Sequence, residues 1–172
     1  MSTHFMHGEL TQESVTSLIS IIDKDEDINI DLYFSSTGGS IGMAEVLVDY
    51  IGNTVKDITL IAHWHIMSCA LDVFTRSVCK KRVLDDAYGM VHLADRDASV
   101  RDLKDRTSQD SFLVDDLNRI NKAWLKERQH FFTSSELVVI KKGGSIYLDH
   151  DRLLKYIDEF SYVLVEEESK EV

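Results

Sequence analysis

Three short stretches carry residues whose types and spacing could do acyl-transfer chemistry. The first is Ser35-Ser36-Thr37-Gly38-Gly39-Ser40, which closes an alternating apolar run. A glycine pair directly after a strand turns tightly and leaves its amide N–H groups clear of side chains, as an anion or oxyanion cradle requires. By itself such a pair is also an ordinary strand-to-helix turn. The second stretch is Ile66-Met67-Ser68-Cys69-Ala70, with Ser68 placed 29 positions after Gly39. A serine opening a helix sits beside free N–H groups and the positive end of the dipole, where a nucleophile gains. Serine is equally a preferred helix cap, so a general base must separate the two readings. His92, in Gly89-Met90-Val91-His92-Leu93, is the candidate. Together the residues supply a nucleophile, a base and backbone donors, among them the N–H of Cys69.

Other chemistries fit less well. His63 and His65 form an H-x-H pair that a strand would point to one face, and with His92 they would offer zinc three nitrogens. That spacing is common by chance and no carboxylate can be assigned to orient the rings, so no metal or other cofactor is expected. Cys69 reads as a small buried residue rather than a reactive thiol. Cys69 and Cys79 are too few for a disulfide framework and lack C-x-x-C spacing, which fits a reducing compartment. Lys plus Arg number 19 against 30 Asp plus Glu, a net charge of −11 that repels phosphate backbones, so a nucleic-acid partner is not expected. With no basic leader and no apolar run near the roughly 20 residues of a spanning helix, a cytoplasmic protein without a membrane partner is expected.

These residues need elements to hold them. The 172 residues suit one domain, and 28% charged with 44% hydrophobic residues describes a folded chain. Thr3 to Met6 reads as a short strand. Val15, Leu18, Ile19 and Ile22 recur at helical spacing over Thr11 to Ile22. After the acidic turn Asp23 to Asp27, Ile28, Ile30, Leu32 and Phe34 alternate as a half-buried strand does. A helix over Met43 to Ile51 and a strand over Ile58 to Ala62 complete a βαβ unit. A helix from Met67 to about Cys79 follows, then strand-like pieces at Arg82 to Leu84 and Met90 to Leu93 around the turn Asp85 to Gly89. Ala94 to Asp110 is a charged loop or mobile helix. Phe112 to Phe132 is a long helix with Leu113, Leu117, Ile120, Trp124 and Phe131 along one stripe. The apolar Leu137 to Ile140, the pair Gly143-Gly144, a helix from Asp149 to Phe160, an apolar stretch Tyr162 to Val165 and a frayed acidic tail finish the chain. With no proline, reversals fall to the eight glycines and to Asn, Asp and Ser.

The order of these motifs resembles the proteolytic subunit of the Clp protease, a serine peptidase family within the wider Clp/crotonase fold, over roughly Phe5 to Val165. Leu32 to Ser40 matches the family's strand ending in a Gly-Gly-Ser turn, with Thr37 where proline is usual. Ser68 falls on the nucleophile at the family's own spacing from Gly39. Met90-Val91-His92 matches the histidine strand one residue short of the usual interval, and Lys80-Lys81-Arg82-Val83 resembles the basic stretch before it. Phe112 to Phe132 resembles the handle helix that packs two rings together.

The resemblance implies an α/β fold with a repeated ββα (βαβ) core and a long protruding handle helix, one domain over residues 1–165 and a tail over 166–172. It implies a serine endopeptidase acting on extended peptides. Ser68 would be the nucleophile, His92 the base, Gly39 and Cys69 the oxyanion donors, and Gly38 and Ser40 the substrate contacts. Three departures stand beside it. The family's acid falls near Ser145, which has no carboxylate; Asp149, Asp151, Asp95 or Asp97 could substitute, and Asp149 ranks first as the nearest. The chain starts almost at the first core strand, so docking of an unfoldase ATPase is expected to be reduced. His63 to Met67 are larger than the small residues usual before the nucleophile. The alternatives are a catalytically silent subunit or interaction protein of the same fold and, more distantly, acyl-CoA chemistry, against which the acidic charge and short length argue.

The long helix also generates an expectation about assembly. Trp124, Phe131 and Phe132 near its end present more apolar surface than the charged Ala94 to Asp110 segment can cover, since that segment offers little beyond Val100 and Leu103. A homo-oligomer joined through Phe112 to Phe132 is expected. Light scattering should give a mass above that of one chain at micromolar concentration and a lower mass for Trp124→Glu; a stable wild-type monomer would sink the expectation.

Overall fold

Ile30, Leu32 and Phe34 alternate with Asp31 and Tyr33, and in the computed structural model the three apolar side chains are fully buried on one face of a central strand. The structure describes residues 1–94 and 109–161, with the backbone alone for 109–113. Asp95, Asp97, Val100, Leu103, the stretch Tyr162 to Val165 and the acidic tail lie outside the described residues. The central strand, β2 (Asn29–Gly39), pairs in parallel with β1 (Ser2–Leu10) and with β3 (Asp57–Met67), bringing Met6, Phe34 and Ala62 into one row. Two short strands, β4 (Lys80–Val83) and β5 (Tyr88–Val91), share the far edge of β3, against Thr59–Ala62 and His65–Met67 respectively. With β6 (Ile146–Leu148) they complete a six-stranded sheet in the order β1-β2-β3-β5-β6. The fold is mixed α/β.

The chain divides into two compact units, Met1–Met90 with the residues from Tyr147 onward, and Val91–Ile146. In the first, α1 (Gln12–Lys24), α2 (Ile41–Asn53) and α3 (Cys69–Arg76) follow β1, β2 and β3 in turn, and a last helix comes from His150–Phe160. Leu18 and Ile22 of α1, Leu47 of α2, Phe74 of α3 and Tyr156 of the last helix are buried in its core. The Phe34 and Phe74 rings lie 6.4 Å apart. Each such side chain stabilises the fold by roughly 1.5–3 kcal/mol. Thr11 and Ser14 cap α1 reciprocally, so its first turn begins where the periodicity puts it. α3 is shorter than the sequence suggests, because the Ser77 N–H closes on Val73 O at 3.1 Å and the chain leaves extended toward β4.

The second unit holds the long helix, α4 (Gln109–Arg128), a 3-10 turn over Gln129–Phe131, and α5 (Ser134–Lys141); the last helix, His150–Phe160, is therefore α6. Leu117, Ile120 and Trp124 are half-buried along one stripe, as the periodicity indicates. The Trp124 ring packs 6.0 Å from Phe132 and under the Arg128 guanidinium at 5.7 Å, and Phe131 meets Phe132 edge-on at 5.3 Å. The rings nominated for an intersubunit contact thus also pack on one another within the unit. No helix among the described residues is long and apolar enough to cross a membrane.

A polar clasp ties β1 to the turn before β2. His4 Nε2 lies 2.7 Å from Asp25 Oδ2, Ser2 Oγ donates to Asp25 Oδ1 at 2.9 Å, and Lys56 Nζ holds Asp25 O and Asp27 O at 2.6 and 2.9 Å. The Asp27 backbone N–H, then His4 and Ser2, hold the Asp25 carboxyl below its ordinary pKa. A carboxylate with a depressed folded pKa stabilises the fold above its unfolded value and loses that contribution as the pH falls through the folded one. The melting temperature of Asp25→Asn should therefore lie below wild type at pH 6, and the gap should close as the pH falls below about 3.9. A gap unchanged at pH 3 would show that the carboxylate charge contributes nothing.

Candidate functional site

β3 does not stop at Ala62 but runs through His63-Trp64-His65 to Met67. Its register against β2 passes from Phe34↔Ala62 to Ser36↔Ile66, so β3 carries extra residues there and bulges. Trp64 takes a positive φ of 66° within the bulge, stacked against His63 at 5.9 Å and His65 at 6.2 Å. His63 Nδ1 lies 3.5 Å from Asp86 Oδ2, and burial, then His7, lower the pKa of His65. Among the described residues no three His, Cys, Asp or Glu side chains converge in a way that could hold a metal.

Immediately beyond the bulge Ser68 joins β3 to α3 with φ 55° and ψ −134°. A serine held there stores roughly 1–3 kcal/mol of strain, and strained strand-to-helix turns are a known means of projecting a nucleophilic hydroxyl. The Ser68 side chain makes no capping hydrogen bond to α3, which removes the ordinary structural reason for a serine at a helix start. Its backbone is held instead: the N–H donates to Met90 O at 2.8 Å and the C=O accepts the Leu71 N–H at 3.0 Å.

The glycine pair lies against this turn. Gly38 has φ 92°, and a Cβ there would stand 2.6 Å from Ser68 Cβ and 2.9 Å from Met67 O. Gly39 has φ 133°, and a Cβ there would stand 2.7 Å from Glu9 Cγ and 2.9 Å from Leu10 O. Only glycine fits either position. The Gly38 N–H donates to Ser36 Oγ at 3.1 Å, within the turn, and the N–H of Ser40, two residues on, donates to Leu10 O at 2.9 Å. Cys69 Sγ donates to Gly39 O at 3.5 Å. Burial first, then Asp72, raise the Cys69 thiol to about 11, with hydrogen bonds from the backbone of Gly39 and of Cys69 itself opposing the rise and Glu9 adding to it. The thiol is therefore protonated near neutrality. The Cys69 thiol thus lies against the backbone of Gly39.

The remaining nominated residues fall as follows. Ser40 caps α2, its Oγ accepting the Met43 N–H at 3.3 Å. His92 is half-buried and is the first residue past β5, which ends two residues earlier than the sequence suggests. It belongs to the second unit, whereas Ser68 and both glycines belong to the first. Two residues after it, Ala94 is gripped by Asn121 of α4, whose Nδ2 donates to Ala94 O and whose Oδ1 accepts the Ala94 N–H, both at 2.8 Å. Asp149 caps α6 through Oδ1 on the Arg152 N–H at 3.0 Å, while Asp151 and Ser145 are exposed. Asn121 and Ser36 went unmarked in the sequence reading. For Ser36 the signal was present: a short hydroxyl two residues before a glycine commonly bonds that residue's N–H.

No protein-family profile matches this chain. No curated protein matches it in sequence. In structure it is similar to a point mutant of ClpP1 from Listeria monocytogenes, with a TM-score of 0.62 and 14% identity over 90% of this chain and 86% of that one. The chain thus has a ClpP-like fold.

Gly8 and Gly38 share a φ of 92° but differ in surroundings, since a Cβ on Gly8 would meet nothing within 4 Å. Gly8→Ala should cost about 1 kcal/mol through the backbone alone, and Gly38→Ala roughly 1–3 kcal/mol more through collision with Ser68. Denaturant midpoints check this, and equal costs would show that Gly38 does not brace the Ser68 turn.

Proposed function

We propose that this chain is a Clp-like serine endopeptidase acting on extended peptides. Ser68 Oγ attacks the scissile carbonyl carbon while His92 takes the hydroxyl proton, and the carbonyl oxygen becomes an oxyanion held by the N–H groups of Gly39 and Cys69. His92 then gives the proton to the leaving amine, and an acyl-serine forms. Water, deprotonated by the same His92, cleaves the ester and restores Ser68. The carrying observation is the strained Ser68, whose side chain does not cap its helix and whose Cβ is met at van der Waals range by Gly38. The Ser68 N–H bond to Met90 O supports His92 as the base, because His92 follows Met90 by two residues in the chain.

In this reading Gly38 and Ser40 lie beside the substrate strand, residues 1–165 act as one domain in a cytoplasmic homo-oligomer, and no cofactor takes part. A second reading, a silent subunit of the same fold, draws on Asp149, whose carboxylate is engaged in capping α6, and on Ser145, which has none to offer. Losing the orienting acid ordinarily costs a Ser-His site about four orders of magnitude in rate.

A fluorophosphonate tests the choice. It should label Ser68 between pH 6 and 9, give no label on Ser68→Ala, and react at least about 100-fold more slowly with His92→Ala. Absence of label on the wild-type chain throughout that range would favour the silent subunit.

A further inference from the structure

We infer that Ser36 is a positioning residue for the oxyanion cradle, orienting the Gly38-Gly39 peptides against the Ser68 turn through one hydrogen bond; this rests on the peptidase reading. Ser36 is completely buried near the end of β2, in register with Ile66 of β3, two residues before Ser68. Its Oγ accepts the N–H of Gly38 at 3.1 Å, and both residues are buried. Leu32 and Phe34 on the same strand are apolar and fully buried, so packing alone would accept alanine at position 36. The hydroxyl supplies a direction instead. It sets the plane of the peptide between the exposed Thr37 and Gly38, in a chain without proline to restrain such a turn.

The orientation has little slack. A Cβ on Gly38 would stand 2.6 Å from Ser68 Cβ, so the Gly38 backbone already touches the nucleophile's own carbon. Rotating the Thr37–Gly38 peptide drives that backbone into Ser68 or away from it, and in either case re-aims the next N–H, that of Gly39. The Gly39 C=O accepts from the Cys69 sulfur at 3.5 Å, so the backbone bearing that N–H lies beside Cys69, the other expected donor. One buried hydroxyl thus controls the aim of a donor three residues further along the chain. An oxyanion donor acts on charge that develops only in the transition state, so its misalignment lowers the rate of the chemical step and leaves substrate binding alone.

The test compares wild type, Ser36→Ala and Ser36→Thr as full chains, each corrected for its folded fraction. Amide hydrogen exchange at Gly38 and Gly39, followed by NMR, requires no activity: Ser36→Ala should exchange at least about tenfold faster, and Ser36→Thr, which keeps the hydroxyl, near wild type. Labelling of Ser68 by a fluorophosphonate and hydrolysis of a fluorogenic peptide should slow about 10- to 100-fold in Ser36→Ala, with KM and the pH profile unchanged, and recover in Ser36→Thr. A purely structural serine would lower the folded fraction without moving the rate per folded molecule. Unchanged exchange in Ser36→Ala, or faster exchange with an unchanged labelling rate, overturns the inference. No label on wild-type Ser68 overturns the peptidase reading instead, and the exchange data tell that failure apart from the first.

Discussion

The close approach of Gly38 to Ser68 is the contact on which the candidate site depends. Two strained turns, each unfavourable alone, meet back to back with no room for a methyl group between them. Neither relaxes without moving the other, which is how a fold keeps residues in sparsely populated backbone regions. The contact also explains the chain order around it. β2 must extend as far as Gly39 and β3 as far as Met67 before their ends meet, so both are longer than their apolar cores require. α2 and α3 then start three residues and one residue after the contact, with Ser40 capping one and the strained Ser68 opening the other.

Beside that contact, two acidic side chains oppose negative charge. The Cys69 thiol bonds the Gly39 backbone, and Asp72 and Glu9 make its surroundings more negative, as the raised thiol shows. Burial is the larger cause of the rise, so the Cys69 thiol itself is desolvated, while Gly39 is exposed and Ser68 half-buried. The same burial keeps the Cys69 thiol protonated near neutrality, so it is not a thiolate beside Ser68.

Much of this was legible in the sequence where a single physical period dominates. The alternation through Ile30, Leu32 and Phe34, the 3.6-residue recurrence of Val15, Leu18 and Ile22, and the glycine pair each specify local structure without help from distant residues. The bulge at His63-Trp64-His65 was not legible, because its cause lies in the register between strands, and an unstrained reading ends β3 at Ala62. Helix α5 carried a usable signal in Thr133 and Glu136, a reciprocal cap overlooked beside the strand-like run Leu137-Val138-Val139-Ile140. Leu117, Ile120 and Trp124 share one stripe as the periodicity indicates, whereas Phe131, expected on the same helix, lies in the 3-10 turn because the helix ends at Arg128. What the stripe alone could not supply is its partner within the unit, since Phe132 reaches Trp124 only after the 3-10 turn redirects the chain.

The capping role of Asp149 bears on how a Ser-His site without an acid at position 145 could still work. A cap carboxylate accepts from its own helix's N–H groups, and this stabilises its charge and holds it at the helix's first turn. An orienting acid needs the same two properties, a held position and a maintained charge, so capping and orienting are compatible through different oxygens of one carboxylate. Oδ1 of Asp149 is engaged with the Arg152 N–H. Apart from Asp149, Asn121 grips Ala94, two residues after His92, through two hydrogen bonds. A histidine two residues before a segment held to α4 has less orientational entropy to lose than one on a loose strand end. In the proposed peptidase, the part of an acid that α4 does not replace is the counter-charge, a loss that in Ser-His sites lowers the rate while leaving residual catalysis.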